Sequence, residues 1–322
     1  MKGKTKGWLI AASLLVLVGL AICAGTMQHI GWNFRKLGTE HYETNVYDIT
    51  KKFNDIAINT NTADIAFELS ADGKCKVVCH EIEKMPHSAL VKDNVLEITW
   101  TDNRELHEHI GIATETPEIT VYLPRNEYDT LYIKETTGDI DIPKDFRFEN
   151  IEIRTTTGDV KCCASAEESF IIETDTGDIK SENISADKIE LSVNTGDITL
   201  GNVDCEGTLK IGVSTGIADI RGVKCESLVS EGGTGDITLT DVIASGEFNI
   251  ERTTGDVIFK HCDAAEIFVR TDTGDVKGSL LSEKYFVIET DTGDVDVPRT
   301  MGGGKCEIIT DTGDIEITEE QK

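Results

Sequence analysis

The segment RTDTGDVKGS, residues 270 to 279, combines residue types that could bind a metal ion or act as acids and bases. Asp272 and Asp275 lie on either side of Gly274, and a threonine stands directly before Asp272 and another directly after it. Oxygen-rich turns are typical of calcium sites, and paired carboxylates can hydrolyse glycosidic bonds. The choice between these chemistries depends on how often the same sequence returns along the chain.

The TGD tripeptide recurs with a fixed period. It occurs nine times, and successive glycines are 19 or 20 residues apart, except for one gap of 39 residues between Gly196 and Gly235. An altered copy, STGIADI, places Gly216 inside that gap. A fixed period of this length indicates a solenoid.

Each repeat has the same internal pattern. Apolar residues stand seven and five positions before the glycine, threonine is common three and one before it, and Ile or Val follows two after it. Such alternation places residues on one face of a strand, so each repeat is predicted to be a strand, a Gly-Asp turn and a second short strand. The sequence therefore predicts an all-β fold, a parallel β-solenoid of about ten 19–20-residue coils, in which the threonines form ladders inside the stack.

The aspartates of the repeat form two columns, one directly after the glycine and one two residues before it. Asp is a good turn residue whose side chain binds backbone amides, which is the structural interpretation. The functional interpretation is that stacked carboxylates hold calcium, the one cofactor that the sequence suggests. The candidate ligands are Asp175, Asp178, Asp272, Asp275, Asp291, Asp294, Asp311 and Asp314.

Repetition also argues against catalysis by these aspartates. A hydrolytic site is normally unique and built from unlike residues in one cleft, whereas these carboxylates return on coil after coil. The sequence assigns no catalytic residue, and the chain is predicted not to be an enzyme. His107 and His109 could share a metal, but their spacing is also common in solvated loops.

Residues 1–30 differ from the rest of the chain. Three lysines precede an uncharged, largely apolar run from 7 to 28 that is long enough to cross a bilayer, and the lysines favour a cytoplasmic N-terminus. An uncleaved signal anchor, a signal peptide cleaved near Ala24 and a lipoprotein modified at Cys23 all fit. Each would export the remainder, and the anchor predicts a single-pass protein of the cell membrane with an extracytoplasmic C-terminal domain.

The remaining segments complete the predicted organisation. Residues 31–45 form a linker, 46–130 an irregular β section that caps the stack, and 131–318 the TGD-repeat solenoid. Within the solenoid, Cys205 and Cys225 occupy a column of small residues, where they could be buried thiols or a disulfide between neighbouring coils.

The net charge of −28 restricts the partners of the exported part. It disfavours binding to nucleic acid, so none is predicted as a partner. An anionic polymer of the envelope would also be repelled unless divalent cations intervened. A partner in the cell envelope, whether a polymer or a membrane protein, must overcome this repulsion.

The anchor and the repeats together resemble the bacterial "putative adhesin" family of unknown function. The resemblance covers residues 46 to 318 and depends on the word TxTGDI, present here as Thr176, Gly177, Asp178 and Ile179. It implies a membrane-anchored β-solenoid acting in envelope binding, adhesion or stress, with no catalytic residues to assign. A polysaccharide-cleaving β-helix enzyme and a purely structural spacer are the alternatives. The altered copy at 216–219 departs from the family pattern and predicts one distorted turn.

Overall fold

The computed structural model describes residues 2–29, 31–33, 38–109 and 113–320, and it confirms an all-β solenoid with an N-terminal helix. Two sheets, of 15 and 13 strands, line the two long sides of the stack. The helix α1 (Lys2–His29) contains a stretch, Gly7–His29, with a mean hydropathy of 2.4, and its apolar window is not buried against the rest of the protein. By length and composition this stretch could cross a membrane, and a signal sequence would pass the same test.

Each repeat contributes one strand to each sheet, except that one repeat contributes two short strands to the 15-stranded sheet. The strands before the glycine belong to the 13-stranded sheet: β8 (Glu127–Thr137), β10 (Arg147–Thr157), β12 (Ser165–Thr176), β15 (Lys188–Thr195), β17 (Thr208–Thr215), β19 (Ser227–Thr234), β21 (Glu247–Thr254), β23 (Glu266–Thr273), β25 (Lys284–Thr292) and β27 (Gly304–Thr312). The strands after the glycine belong to the 15-stranded sheet: β9 (Ile140–Ile142), β11 (Val160–Cys162), β13 (Ile179–Glu182), β14 (Ser185–Ala186), β16 (Ile198–Cys205), β18 (Ala218–Cys225), β20 (Ile237–Ala244), β22 (Val257–Cys262), β24 (Val276–Leu280), β26 (Val295–Asp296) and β28 (Ile315–Glu319).

The section before the repeats is also built of strands. They are β1 (Tyr42–Ile49), β2 (Asp55–Asn59), β3 (Asp64–Leu69), β4 (Cys75–Ile82), β5 (His87–Lys92), β6 (Val95–Trp100) and β7 (Glu118–Leu123), with a 3-10 helix at Leu106–His109. In one sheet β4 runs antiparallel to β1 and β7, and in the other β5 runs antiparallel to β6. These antiparallel strands close the first end of both sheets, which protects the exposed edges of the stack.

The core consists of the inward-facing columns of both sheets. Neighbouring coils are aligned residue for residue, so that Ile151 pairs with Phe170 and Ile153 with Ile172. All four side chains are completely buried. Full burial of one large apolar side chain stabilises a fold by about 1.5–3 kcal/mol, which explains why the apolar positions of the repeat vary so little in character.

The threonine columns differ from the sequence prediction. The threonine three residues before the glycine is buried, as Thr174 and Thr271 are, but the one directly before it, such as Thr176, is exposed because the chain leaves the strand there. The buried hydroxyls also do not bond to each other. Thr271 Oγ1 donates to the Gly255 carbonyl of a neighbouring coil at 3.3 Å, and Thr310 Oγ1 donates to the Gly274 carbonyl at 3.1 Å.

The stacking order does not follow the chain order at either end. At the first end, β2 and β3 lie between the β6–β7 coil and the β8–β9 coil. At the other end, β27 and β28 are inserted between the β23–β24 coil and the β25–β26 coil, so the β25–β26 coil is the terminal one. Coils with the same register can stack in either order, so the repeat pattern alone does not specify which coil is terminal.

Candidate functional site

The repeats share one register, which places the glycines of their TGD turns in one column along an edge of the stack. Gly158 and Gly196 have φ angles of +144° and +143°, which residues with a side chain rarely adopt. The carbonyl oxygen of the preceding coil also occupies the space above each glycine. A Cβ atom at Gly158 would lie 1.8 Å from the Gly138 oxygen. The turn therefore requires glycine for its conformation and for the close approach of the next coil.

The aspartate after each glycine binds the backbone of the neighbouring coil. Asp178 Oδ1 accepts the Asp197 N–H at 2.8 Å, and Asp159 Oδ1 accepts the Asp178 N–H at the same distance. The ladder begins at Asp64 of the degenerate TADI copy, whose Oδ1 accepts the Asp139 N–H at 3.0 Å. This is the structural interpretation of the column, and each rung supplies a charge-assisted hydrogen bond between coils.

The altered copy does not distort its turn, contrary to the sequence prediction. Gly216 keeps a φ of +141° and donates its N–H to the Thr234 carbonyl at 2.9 Å, as the glycines of other coils do. The backbone geometry is preserved because the glycine is preserved. Ile217 replaces the aspartate and still donates its N–H to Asp197, but it offers no carboxylate to the next coil. One rung of the ladder is missing there, and the fold is unchanged.

The eight candidate calcium ligands fall into two groups. Asp175 and Asp178 lie on one coil, far along the stack from the others, and Asp175 accepts a hydrogen bond from the Asn194 amide at 2.8 Å. The other six share the last three coils, where the altered stacking order places the coil of Asp311 and Asp314 between those of Asp272 and Asp291. The last six are Asp272, Asp275, Asp291, Asp294, Asp311 and Asp314.

Several of these carboxylates already have partners. Asp275 Oδ1 accepts the Asp314 N–H at 2.8 Å, and its Oδ2 accepts Lys277 Nζ at 2.7 Å, so Lys277 and then this amide lower the pKa of Asp275. In the described part of the chain, these columns bring no three carboxylates within 4.8 Å of one another. The calcium ladder therefore stays a prediction, whose ligands would have to converge on binding.

Two charged side chains occupy the buried threonine column. Glu135 is 4% exposed, and burial raises its pKa to about 8; Oε1 accepts the Ala63 N–H at 3.3 Å, while Oε2 has no partner. Arg252 is also 4% exposed, and burial lowers its pKa to about 10. Its guanidinium donates to Ser230 Oγ and fills the space above Gly232, where a Cβ would lie 1.5 Å from Nη1. Burying either ionisable group costs the fold free energy.

The cysteines of the solenoid are free thiols. Cys205 and Cys225 are buried and unbridged, which agrees with the first of the two sequence interpretations. Burial raises the pKa of Cys162 and Cys225 to about 12. Because the thiolate is the nucleophile, such thiols are unreactive at neutral pH and act as small apolar side chains.

A cavity of about 400 Å³ lies in the cap section, beside the first end of the stack. Its walls include Trp100, Met85 and Pro117, and two buried polar residues, His87 and Thr60, border it. Such a cavity, apolar with a few polar groups, has the character of a small-molecule site. His107 and His109, in contrast, lie on the 3-10 helix, and both are exposed.

The polar groups beside this cavity form a chain of hydrogen bonds. Glu81 Oε2 accepts the backbone N–H of His87 at 2.7 Å and contacts His87 Nδ1 at 2.6 Å. His87 Nε2 contacts Thr60 Oγ1 at 2.8 Å, and Asn45 Nδ2 donates to Glu81 Oε1 at 2.7 Å. These bonds from His87 and Asn45 lower the pKa of Glu81 against the opposing effect of burial, which is the largest single influence.

These hydrogen-bonded side chains were not predicted from the sequence. In the strand KCKVVCHEI, a period of two puts Cys75, Val77 and Cys79 on one side, and the structure places all three in the interior. Continuing that alternation by two residues would have placed Glu81 inside as well. A buried glutamate needs a partner, and that requirement is the one signal in the sequence for a polar residue nearby, although it does not single out His87.

The two facing sheets, the glycine column and the aspartate ladder define a parallel β-solenoid repeat protein. The chain belongs to the Toastrack DUF4097 family, whose sequence model matches residues 53–221 and 218–322. This confirms the resemblance based on the TxTGDI word. No curated protein matches the chain in sequence.

Solved structures provide distant matches. A "putative adhesin" from Bacteroides fragilis NCTC 9343 is 16% identical with a TM-score of 0.39, and the match covers 87% of this chain and 98% of that one. A "putative lipid binding protein" from Parabacteroides distasonis ATCC 8503 is 16% identical with a TM-score of 0.43, covering 75% and 98%. A "putative cell adhesion protein" from Clostridium sporogenes ATCC 15579 is 12% identical with a TM-score of 0.23, covering 88% and 100%. These similarities are too low to assign a function.

Proposed function

We propose that this chain is a membrane-anchored, extracytoplasmic and non-enzymatic module that binds a component of the cell envelope along its acidic turn edge. The observation that carries the proposal is the nature of that edge. The same exposed acidic turn returns on successive coils, and its carboxylates hold neighbouring coils together. A repeated edge suits an extended partner, whereas catalysis needs unlike residues gathered at one point.

The charge of the chain restricts the chemistry of this partner. A surface that belongs to a chain of net charge −28 attracts cationic groups and repels anionic ones within the Debye length, which is about 8 Å at physiological ionic strength. The partner is therefore a polymer or membrane protein that presents positive charge, or an anionic polymer bridged by divalent cations. In this proposal residues 1–30 anchor the chain, 31–45 link it to the cap of residues 46–130, and 131–318 form the binding rod.

Photo-crosslinking in native membranes tests this proposal. A photoreactive residue is placed at Thr156 or Thr253 on the exposed turn edge, or at Glu206 or Glu226 on the opposite side of the coil as matched controls. We expect adducts with one envelope component from the turn-edge positions only. Equal labelling from both sides, or no adduct from either, would contradict the proposal and favour a spacer.

A further inference from the structure

We propose that Cys79, Glu81 and His87 form a zinc-binding site inside the cap section. One ligand atom of each side chain lies within 4.8 Å of those of the other two, and no other such group of three or more occurs among the residues that the structure describes. The exposed fractions of the three residues are 0%, 0% and 5%. The site does not depend on the proposed binding of an envelope component.

The local fold brings the three side chains together for a simple reason. Cys79 and Glu81 are two residues apart on β4, so they share its inward face. The chain then turns at 83–86 and enters the opposite sheet, where His87 begins β5. The three ligands therefore meet between the two sheets, at a point that only a folded cap can create.

The set of donor atoms matches zinc in chemistry and charge. Zinc takes thiolate, imidazole and carboxylate ligands at about 2.0–2.3 Å, usually in a tetrahedron. Around such an ion the ligand atoms are roughly 3.5 Å apart. Glu81 Oε2 and His87 Nδ1, now 2.6 Å apart, must therefore separate by about 1 Å, while the ligand atoms of all three residues already lie within 4.8 Å of one another. One thiolate and one carboxylate also balance the charge of Zn²⁺, which matters because an unbalanced buried charge is costly. A water molecule can fill the fourth position, since the cavity borders His87.

Groups that would orient the ligands are already in place. Asn45 Nδ2 donates to Glu81 Oε1 at 2.7 Å, which leaves Oε2 directed at His87. His87 Nε2 contacts Thr60 Oγ1 at 2.8 Å, so Nδ1 is the nitrogen that faces Glu81. Outer hydrogen bonds of this kind are typical of metal-ligating histidines and carboxylates. On binding, zinc takes the place of the proton that lies between Nδ1 and Glu81 and of the Cys79 thiol proton, and both protons go to solvent. His87 stays neutral because Nε2 keeps its hydrogen and donates it to Thr60 Oγ1.

Cobalt titration of the full chain in detergent micelles tests the site. Co²⁺ is the probe because a thiolate ligand produces a charge-transfer absorption that surface carboxylates and histidines cannot give. We expect this band to saturate at one equivalent and to disappear when Zn²⁺ is added. Cys79→Ser should abolish it, whereas Cys75→Ser, which changes a buried cysteine on the same inward face of β4, should retain it.

Two further measurements do not depend on the folding of a cysteine variant. X-ray absorption of the zinc-loaded wild-type chain should show one sulfur at about 2.3 Å with nitrogen and oxygen neighbours at about 2.0–2.2 Å. Asn45→Ala, at a half-buried position, should weaken zinc binding about 10–100-fold because Glu81 loses its orienting bond. A zinc spectrum without sulfur, no cobalt thiolate band, or a band that survives Cys79→Ser would each overturn the proposal.

Discussion

Gly196→Ala is expected to unfold several coils of the solenoid at denaturant concentrations that the wild-type chain withstands. Gly196 has a φ of +143°, and its new Cβ would lie 2.2 Å from the Gly177 carbonyl oxygen. A positive φ costs a residue with a side chain about 1–3 kcal/mol, and forcing a group into a packed space costs about 1–3 kcal/mol more. The free energy of unfolding should therefore fall by about 2–6 kcal/mol, measured by urea titration and circular dichroism.

Gly201→Ala is the matched control for this effect. Gly201 lies five residues further along, in β16, where the nearest atom to an added Cβ is Glu182 Cγ at 3.6 Å and φ is not positive. Replacing such a glycine leaves stability unchanged or raises it by about 0.4–1 kcal/mol. Because a solenoid unfolds through neighbouring repeats, faster amide exchange in Gly196→Ala should extend to the adjacent coils. Equal stability of the two variants would contradict the role given to the glycine column.

Glu135→Thr is expected to stabilise the chain, and the gain should grow with pH. The pKa of Glu135 is raised from 4.5 to about 8 by burial, so the folded state holds a proton that the unfolded state loses above pH 4.5. Stability then falls as pH rises between these values, because the folded state binds more protons. Threonine, which other coils carry in this column, removes that penalty, which is on the order of 4 kcal/mol at pH 8.

The pH profile separates this penalty from a simple change in packing. Below pH 4.5 the carboxyl is neutral in both states, so the advantage of Glu135→Thr should vanish or reverse. Ala63 keeps a partner in this variant, because its N–H also donates to the Thr137 carbonyl at 3.1 Å. Glu135→Gln, which preserves the shape of the side chain, should show the same pH dependence. Thermal unfolding from pH 4 to 8 measures both, and a gain that does not change with pH would refute the explanation.

The sequence predicted the coil but not the path of the chain between coils. The alternation around Gly158 and Gly177 was sufficient to predict the strands, the turn and the buried faces, because every repeat has the same pattern of residue types. The exchanged order of the coils of Gly293 and Gly313 could not be predicted in this way. Both coils have the same pattern of inward-facing residues, so the free energy of stacking alone allows either order. The order therefore depends on the segments that connect the coils.

The aspartate and threonine columns show how far the pattern extends to the site. Position after glycine was enough to identify Asp178 as a turn residue, and the ladder of backbone bonds confirms that part. The threonine directly before glycine was wrongly placed inside, because the alternation of a strand ends where the turn begins. The pairing of Glu81 with His87 was not predicted, because it depends on two sheets meeting in the irregular cap.

The aspartates of the turn stabilise the stack as hydrogen-bond acceptors rather than as cation ligands. Asp178→Asn retains an acceptor oxygen for the Asp197 N–H and removes the charge, whereas Asp178→Ala removes both. The comparison of these two variants therefore separates an acceptor from a cation ligand. Both are compared with the wild-type chain, with and without millimolar calcium.

Hydrogen exchange of the Asp197 amide, measured together with unfolding free energy, is the most direct test. We predict that Asp178→Asn stays close to wild type, and that Asp178→Ala exchanges this amide faster and loses about 1 kcal/mol, with no effect of calcium on any of the three. If Asp178→Asn were as damaging as Asp178→Ala, or if calcium stabilised the wild-type chain alone, the claim would be contradicted and the calcium ladder favoured.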